Sequence, residues 1–263
     1  MREIIIPAAA MGALGLVLGA LLAAASKIFA VKKDERAEEI VSVLPGANCG
    51  GCGYAGCGAY AAAVSSGNAG VGCCCVGGQA VSDKIAKIMG VEAQSVEEKR
   101  GVVMCSGDSE AAKNKYEYSG ELDCTALSKL PGGGQKECTY GCLGLGTCAK
   151  ICSVGAITVS GGVAHIDPEK CIGCGECARA CPKKIIQLVP KKNKIVVKCK
   201  SCDKGALMKE KCTSGCIGCR MCEKICPSDA IKVENNCASI DYDKCVNCGL
   251  CAEKCPKKII ITQ

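Results

Sequence analysis

The sequence predicts an α+β protein made of several small domains rather than one large core. Three observations lead to this prediction: an uncharged N-terminal stretch, an unusually high number of cysteines, and an internal repeat. The chain has 263 residues with 28 cysteines, yet it contains one Phe and no Trp. Because large aromatic side chains usually fill a core, a chain with so few of them needs another way to hold its domains together.

The uncharged stretch covers residues 4–25. A helix of that length rises about 33 Å at 1.5 Å per residue, enough for the hydrocarbon core of a bilayer. Lys27, Lys32 and Lys33 follow it, and positive-inside bias would then place the rest of the chain on the cytoplasmic side. We therefore predict an N-terminal transmembrane helix over residues 1–30, a single-pass anchor in the cytoplasmic membrane. A cleaved signal peptide is the alternative.

The cysteines repeat one phrase three times. CIGCGECARACP (171–182), CIGCRMCEKICP (216–227) and CVNCGLCAEKCP (245–256) all read Cys-x2-Cys-x2-Cys-x3-Cys-Pro. This is the run with which bacterial ferredoxins bind [4Fe–4S] clusters. Zinc sites favour Cys-x-x-Cys pairs separated by a longer loop, and disulfides need an oxidising compartment. The runs therefore predict iron–sulfur clusters.

An internal repeat relates two segments of the C-terminal half. Residues 156–186 align without a gap to residues 230–260. Each copy begins with two short strands around a polar turn, which predicts a β-hairpin, and continues into a cysteine run, a short helix and a last strand. A second cysteine run precedes each copy and extends the same alignment. We predict two tandem two-cluster ferredoxin modules, at 136–190 and 191–263.

In such modules the fourth cysteine of one run ligates the cluster of the other run. For the second module this predicts one cluster on Cys216, Cys219, Cys222 and Cys255 and one on Cys245, Cys248, Cys251 and Cys226. For the first module it predicts a cluster on Cys171, Cys174, Cys177 and Cys152. The remaining run, CTYGCLGLGTCAKICS, has Leu145 where the middle cysteine should be. We predict that Cys138 replaces it, which gives Cys138, Cys142, Cys148 and Cys181.

A separate cysteine motif lies in residues 31–78, predicted as an N-terminal [4Fe–4S] domain. NCGGCGYAGC contains Cys-x2-Cys-x4-Cys, and three consecutive cysteines follow at 73–75. The glycines let the backbone wrap closely and direct N–H groups at sulfurs. The predicted ligands are Cys49, Cys52, Cys57 and Cys74. Cys73 and Cys75 flank the chosen ligand and stay open as alternatives.

Four further cysteines suggest a sixth cluster that would fasten the predicted connector, residues 79–135, to the ferredoxin modules. They are Cys105, Cys124, Cys199 and Cys212. Cys202 is an alternative to Cys199, and four buried free thiols are the alternative to a cluster. Cys237 and His165 fall on hairpin positions, and we interpret both as bystanders.

Clusters at this density predict electron relay, with five [4Fe–4S] clusters expected and six if the additional site exists. PGGGQ (131–135) does not follow a predicted strand and GCLGLGT belongs to a cysteine loop, so neither indicates a dinucleotide site. We recognise no flavin-attachment motif and no Ser/His/Asp set. We therefore expect no catalytic residues for hydride transfer and no flavin or NAD in this chain. No nucleic-acid partner is expected either, because no basic stripe is interleaved with aromatic residues.

The order of these motifs resembles a known family. The uncharged stretch, LPGANCGGCGYAGC (44–57), the later VGG, YGCLGLGTC (140–148) and the tandem modules are similar to the B subunits of the Rnf complex, in their long form. Val76 departs from the family, which tends to have proline there. The resemblance implies an ion-translocating ferredoxin:NAD+ oxidoreductase whose B subunit accepts electrons from soluble ferredoxin and passes them to membrane redox subunits. It also implies that nicotinamide is reduced on another subunit.

Two other functions are compatible with parts of the sequence. A polyferredoxin relay for a membrane hydrogenase or another oxidoreductase would need the ferredoxin modules alone, and the domain at 48–78 joined to an N-terminal anchor argues against it. A zinc-stabilised scaffold would be colourless, because Zn²⁺ is redox-silent. Lysines near the clusters are candidate contacts for an acidic ferredoxin, or simply part of a solvated surface. They are Lys183, Lys184, Lys257 and Lys258.

Overall fold

The computed structural model describes residues 2–28 and 34–263, and within the first range it describes the side chains of Ile6 and of residues 11–25. Over these residues ten helices and eight strands follow one another. The strands pair two by two in four antiparallel sheets. Because isolated two-stranded sheets are at best marginally stable in water, the small domains depend on further bonding for their stability.

Helix α1, Arg2–Ile28, carries the uncharged stretch. Within the described part of the chain, no helix combines the length and apolar character that a membrane crossing requires. This finding contradicts the predicted transmembrane helix over residues 1–30 and, with it, the single-pass anchor in the cytoplasmic membrane. Lys32 and Lys33, on which the predicted orientation depended, lie outside the described residues.

Three helices form the N-terminal domain: α2 (Glu35–Val43), α3 (Cys57–Ser65) and α4 (Gly78–Met89). Its core consists of the buried side chains of Ile40, Tyr60, Val64 and Ile85. The Tyr60 hydroxyl donates to the Gly70 carbonyl at 2.8 Å and accepts the N–H of Cys73 at 3.3 Å. Tyr60, the largest fully buried side chain in this core, therefore also fixes the loop that carries three consecutive cysteines.

The first ferredoxin module begins earlier in the chain than its cysteine runs. Strand β1 (Lys99–Val103) lies in the segment predicted as a connector, and it pairs with β4 (Ile186–Pro190). Between these strands lie the hairpin of β2 (Ile157–Ser160) and β3 (Val163–Ile166), and the helices α5 (Cys124–Ser128), α6 (Thr147–Ile151) and α7 (Glu176–Ala180). The hairpin, the short helix and the last strand that the repeat predicts are present.

The second module repeats this order of elements. Strand β5 (Ile195–Val197) pairs with β8 (Ile260–Thr262), and the hairpin consists of β6 (Ile231–Glu234) and β7 (Cys237–Ile240). Its helices are α8 (Gly205–Lys211), α9 (Met221–Ile225) and α10 (Leu250–Glu253). The hairpin registers are equivalent, because Ile157 faces Ile166 in one module and Ile231 faces Ile240 in the other.

The two modules pack against each other through a shared core. Val102 and Val189 of the first module belong to the same buried group as Val196 and Ile259 of the second. Residues 191–194 alone separate β4 from β5. The modules therefore meet along the sheets that β1 and β5 complete.

The two modules differ in the length of one segment, which precedes the first cysteine run of each module. The chain from Val103, the last residue of β1, to Cys142 is much longer than the chain from Val197, the last residue of β5, to Cys216. The longer segment contains α5, in addition to the residues that both modules share. The first module thus carries an insertion, which lies within the predicted connector and the start of the first cysteine run.

Candidate iron–sulfur sites

Twenty-four of the 28 cysteines gather into six groups of four. We call these groups sites 1 to 6, and consecutive numbers mark neighbouring groups. Site 1 is Cys49, Cys52, Cys57 and Cys74; site 2 is Cys152, Cys171, Cys174 and Cys177; site 3 is Cys124, Cys142, Cys148 and Cys181; site 4 is Cys105, Cys138, Cys199 and Cys212; site 5 is Cys216, Cys219, Cys222 and Cys255; site 6 is Cys226, Cys245, Cys248 and Cys251.

Four of these groups each line a cavity. The empty space at these sites, counted together with the open solvent at its mouth, is about 320 Å³ at site 1, 400 Å³ at site 3, 340 Å³ at site 4 and 340 Å³ at site 5. Among residues 2–28 and 34–263, no three Cys, His, Asp or Glu side chains are close enough to share one metal ion. A cluster of four irons and four sulfides is larger than one ion, and four cysteines spaced around a cavity are the donor set that it takes.

At sites 2 and 6 the neighbouring cysteines help to raise the thiol pKa of one member of each group. Burial raises the pKa of the Cys177 thiol to about 11, and the sulfurs of Cys171, Cys174 and Cys152 add to this effect. Burial likewise raises the pKa of the Cys251 thiol to about 11, with contributions from Cys226, Cys245 and Cys248. Four thiolates in one group would repel each other. Cations among them would allow all four to deprotonate, as metal ligation requires.

Backbone N–H groups point at several of these sulfurs. The bonds run from Ala156 to Cys152 and from Ala230 to Cys226, both 3.3 Å, from Gly101 to Cys171 at 3.3 Å, and from Gly77 to Cys74 at 3.4 Å. The first two are equivalent under the repeat. Hydrogen bonds to thiolate sulfurs are among the factors that set the potential of an iron–sulfur cluster, so these groups fit sulfurs that carry negative charge.

At site 1 the structure distinguishes the three consecutive cysteines. Cys74 is buried and lines the cavity, whereas Cys73 is exposed. Burial raises the pKa of Cys74, and the sulfurs of Cys52 and Cys57 add to it. Cys75 also lines the cavity, on the side that faces Cys174 of site 2. The predicted group therefore comes together, with Cys75 beside it.

Site 3 differs from the prediction in one member, because the structure places Cys124 there and not Cys138. Burial raises the pKa of the Cys148 thiol to about 12, and Cys142, Cys124 and Cys181 add to the shift. Leu145, which stands where the run lacks a cysteine, packs with Cys124 in one apolar group. The insertion thus brings its own cysteine to the position that the run leaves empty.

Two polar side chains fix Cys124 in this place. The Asp123 carboxylate caps α5 by accepting the N–H of Ala126 at 3.1 Å, and it accepts the Thr147 hydroxyl at 2.7 Å. The Thr147 oxygen in turn accepts the N–H of Cys124 at 2.8 Å. The hydroxyl and the helix N–H groups lower the pKa of Asp123. Asp123, directly before Cys124, therefore bonds the insertion to the cysteine run.

Site 4 contains Cys138 in the place where Cys124 was predicted. It joins Cys105, Cys199 and Cys212, three members of the predicted sixth group. Cys202 is exposed and does not line this cavity. The sequence analysis therefore assigned Cys124 and Cys138 to each other's sites. The repeat contains a signal for the correct assignment, because Cys138 aligns with Cys212 when the repeat is extended towards the N-terminus.

Sites 1 and 2 meet at a close backbone contact. A Cβ on Gly51 would lie 2.9 Å from the carbonyl oxygen of Cys174 and 3.1 Å from Cys75 Sγ, so only glycine permits this approach. Arg179 Nη2 donates to the Cys49 carbonyl at 2.9 Å, and its guanidinium pairs with Glu176. The N-terminal domain therefore covers the cysteine loop of site 2.

The remaining predicted residues are placed as follows. Cys237 lies on β7 and its Sγ donates to the Cys199 carbonyl at 3.2 Å, and His165 faces Thr158 in the hairpin. Lys183 donates to the Thr139 carbonyl at 2.7 Å, whereas Lys184 and Lys258 are exposed at equivalent positions. Lys257 is half-buried.

Comparison with known families accounts for three parts of the chain. Residues 44–76 match the FeS family, described as an Fe-S cluster family, residues 164–187 match the 4Fe-4S binding domain, and residues 215–259 match the 4Fe-4S dicluster domain. The matches identify 4Fe-4S clusters as the cofactor class. They cover sites 1, 5 and 6 most fully, and none reaches Cys105, Cys138, Cys199 or Cys212.

Named relatives span most of the chain. It is 47% identical over 246 residues to the B subunit of the Na(+)-translocating ferredoxin:NAD(+) oxidoreductase complex of Acetobacterium woodii, a match that covers 93% of this chain and 74% of that protein. The proton-translocating counterpart from Clostridium ljungdahlii is 44% identical over 247 residues, 93% of this chain and 87% of that protein. The B subunit of the ion-translocating oxidoreductase complex of Methanosarcina acetivorans is 40% identical, with 90% of each chain covered.

The chain belongs to the family of Rnf complex B subunits. The resemblance expected from the motifs is thereby confirmed. As a member of this family, the chain is a subunit of an oxidoreductase that translocates ions, and its partners include other Rnf subunits. Its 4Fe-4S domains give it an electron-relay role in that complex.

Proposed function

We propose that this Rnf B subunit carries electrons from reduced ferredoxin to the redox subunits of its complex, through [4Fe–4S] clusters at sites 1, 2, 3, 5 and 6. Each cluster, when bound, takes up and releases one electron. The observation that carries the proposal is the contact between neighbouring groups, such as that of Gly51 with Cys174. The residues of this chain supply the thiolates, hold the groups next to one another and restrict water.

The ligand sets that we propose follow the groups found in the structure. At sites 2, 5 and 6 they are those expected from cross-ligation between runs, and at site 3 Cys124 takes the place of Cys138. Site 1 takes Cys74, whose sulfur accepts the N–H of Gly77. Cys181 and Cys152 each cross from one run to the other's site, so the two groups of the first module interlock.

We further propose that ferredoxin docks at site 6. Cys248 is exposed there, beside the exposed apolar side chains of Val246 (64%) and Leu250 (37%). The equivalent residue in the first module, Cys174, is covered by the N-terminal domain. Lys244, which is exposed and directly precedes this loop, suits an acidic partner. Electrons then leave through site 1, at the other end of the series.

Purification of the complex identifies the partners. The intact assembly would be isolated anaerobically in mild detergent from its native cells, and every subunit that accompanies this chain would be identified. Flavin-carrying subunits together with ferredoxin-dependent NAD+ reduction support the proposal. A nickel–iron or other oxidoreductase core instead would keep the relay but overturn the proposed donor and acceptor. The absence of flavin and NAD from this chain stays a prediction, which extraction of this subunit after its separation from the complex tests.

The docking surface has a sharper test within the purified complex. We expect Leu250→Glu to raise the KM for ferredoxin about tenfold, because a buried charge at an apolar contact is costly, while reduction by dithionite stays unchanged. Leu207→Glu is the matched control, since Leu207 is also exposed, at 48%, but lies on α8. Equal effects of the two variants, or none from Leu250→Glu, would place the docking surface elsewhere.

A further inference from the structure

Arg100 is a buried cation at the contact between the two ferredoxin modules. It lies on β1 and is 5% exposed. Its Nη2 donates to the Asn193 carbonyl at 3.1 Å, whereas its Nε has no hydrogen-bond partner among the described residues. Among the side chains that the structure describes, no Asp or Glu forms an ion pair with its guanidinium. Because a buried charge is costly unless another charge compensates it, the surroundings of Arg100 decide what its charge does.

The two faces of strand β1 contact different modules. Gly101 N–H donates to Cys171 Sγ of site 2 at 3.3 Å, and Val103 packs in the core of the first module. Val102 belongs instead to the core that both modules share. Because successive side chains of a strand point to opposite faces, Arg100 lies on the same face as Val102. The first module therefore extends a cation towards the second.

Arg100 reaches the second module beside site 6. Asn193, whose carbonyl accepts the guanidinium, is 1% exposed. Its Nδ2 donates to the Cys245 carbonyl at 3.4 Å and to the Tyr242 carbonyl at 3.5 Å. Burial raises the pKa of Tyr242 to about 12, the sulfur of Cys245 adds to this effect, and the charge of Arg100 opposes it. One tyrosine thus lies within the electrostatic range of both the arginine and a proposed ligand of site 6.

Residues 191–194, which join the two modules, are also bonded to the cysteine loop of site 6. Lys194 N–H donates to Oδ1 of Asn247, a residue within that loop, at 2.9 Å. Asn247 Nδ2 in turn donates to the Lys192 carbonyl at 3.0 Å. These bonds and the contact with Asn193 hold Arg100 in a fixed place relative to site 6. A charge that the fold already holds in place needs no rearrangement when an electron arrives.

The equivalent position of the second module carries an exposed cation. Arg100 faces Val189 where β1 pairs with β4. Gln263 aligns with Val189 when the repeat is extended towards the C-terminus, and its N–H donates to the Lys194 carbonyl at 2.9 Å. Lys194 is therefore the counterpart of Arg100, but it is exposed, and dissolved ions screen its charge. The buried cation thus belongs to one strand and is not part of the repeated framework.

We propose that Arg100 sets the reduction potential of the cluster at site 6, because its buried positive charge stabilises the reduced state. The inference rests on the proposed function, in which site 6 receives electrons from ferredoxin. In that step ferredoxin loses one electron, site 6 gains one electron with its negative charge, and no bond forms or breaks. Net charge and solvent exposure are among the factors that set cluster potentials. A residue of the first module thereby makes the entry site of the second module a better electron acceptor.

Redox titration of the full-length, cluster-loaded chain, followed by electron paramagnetic resonance, tests the proposal. The signal of site 6 is identified as the one that Cys248→Ser removes. We expect Arg100→Met to lower the equilibrium constant for reduction of site 6 about tenfold, which is about 59 mV for one electron. Arg100→Lys keeps the charge and should recover most of this loss. Equal shifts in the two Arg100 variants, or no shift in either, would overturn the proposal and leave the proposed function intact.

The exposed counterpart provides the matched control. Lys194→Met also removes one positive charge next to the segment that joins the modules, and it should change the same constant by less than about twofold. The effect of Arg100→Met should persist in about 1 M salt, because buried charges are screened much less than exposed ones. A shift in Lys194→Met as large as that in Arg100→Met would contradict a specific role for the buried charge.

The remaining readouts separate the charge of Arg100 from a structural role. Unchanged signals of the other clusters show that each variant is folded. Faster hydrogen exchange in residues 191–194 of Arg100→Met, with an unchanged potential at site 6, would make Arg100 a structural residue only and overturn the proposal. If Cys248→Ser removes no signal, the proposed ligand set of site 6 and this inference are overturned together.

Discussion

The two ferredoxin modules have the same element order but differ in what surrounds equivalent residues. In the first module the loop of Cys174 lies under the N-terminal domain, whereas the equivalent Cys248 is exposed. Arg179, which donates to the Cys49 carbonyl, corresponds to Glu253. One module thus has a covered end and the other an open end. A duplicated unit can therefore acquire two roles by changing a few surface residues while its cysteine framework stays constant.

The modules also differ in how they complete their inner cysteine group. The second module has Cys219 in its run, whereas the first has Leu145 and takes Cys124 from the insertion. We expect Cys124→Ser to lose a whole cluster, about four irons per chain, because site 3 then keeps three thiolates. Iron analysis and electron paramagnetic resonance of the reduced protein measure the loss.

A rescue variant sharpens this comparison. Leu145→Cys in the Cys124→Ser background places the cysteine where the second module has it, so we expect the lost irons, about four, to return. Cys73→Ser is the control, since Cys73 is exposed and lies outside the six groups. Iron that stays at the wild-type level in Cys124→Ser would show that Cys124 is not a ligand.

The insertion depends on its own small core, which the second module lacks. Leu127 on α5 is 0% exposed, and Leu127→Ala should cost about 3 kcal/mol through lost packing and a residual cavity. We expect hydrogen exchange of the α5 amides to accelerate by roughly a hundredfold. Leu130→Ala, at a side chain that is 42% exposed, should change it little. Unchanged exchange in Leu127→Ala would mean that α5 is held by its polar contacts alone.

The covered end of the first module depends on Arg179. We expect Arg179→Glu, which introduces the residue of the second module, to loosen the N-terminal domain. Hydrogen exchange around Cys49 and Gly51 should then rise about tenfold, as expected for the loss of a charge-assisted hydrogen bond. The reciprocal variant Glu253→Arg should leave exchange there unchanged. An equal response to both variants would contradict a specific role for Arg179.

The smallest effect is expected at the cap of α5. Asp123→Ala removes the acceptor for the helix N–H groups and for the Thr147 hydroxyl, so site 3 should lose iron to a chelator about fivefold faster. Asp123→Asn keeps one acceptor oxygen for the helix N–H groups, so it should lose iron more slowly than Asp123→Ala. The rate is read from the bleaching of the cluster absorption. Identical rates for the two variants would assign the effect to the charge and not to the cap.

Local patterns in the sequence predicted most of the modules correctly. The hairpins, the helix after each run and the last strands follow from alternation and repeat, which act over a few residues. The exchange of Cys124 and Cys138 was not predicted, because proximity to Cys142 favoured Cys138. Its actual partner, Cys212, lies in the other copy of the repeat and becomes adjacent only when the modules pack.

Longer-range features were harder to derive. Nothing local indicates that Gly51 meets Cys174, or that β1 completes the first module rather than belonging to a connector. At the uncharged N-terminal stretch, a local pattern led to a prediction that was wrong. Its composition predicted a membrane crossing, and the described helix does not bear that out.

Each ferredoxin module contributes two of the four cysteines at site 4. This equal contribution bears on how such a chain arises. A single module carries Cys105 and Cys138, or their equivalents, and so presents half of a ligand set on one face. Two separate copies would complete the set only by meeting face to face, as the halves of a symmetric dimer do. Joined through residues 191–194, they meet at high effective concentration. Gene duplication with fusion would thus turn an association between molecules into a fixed joint within one.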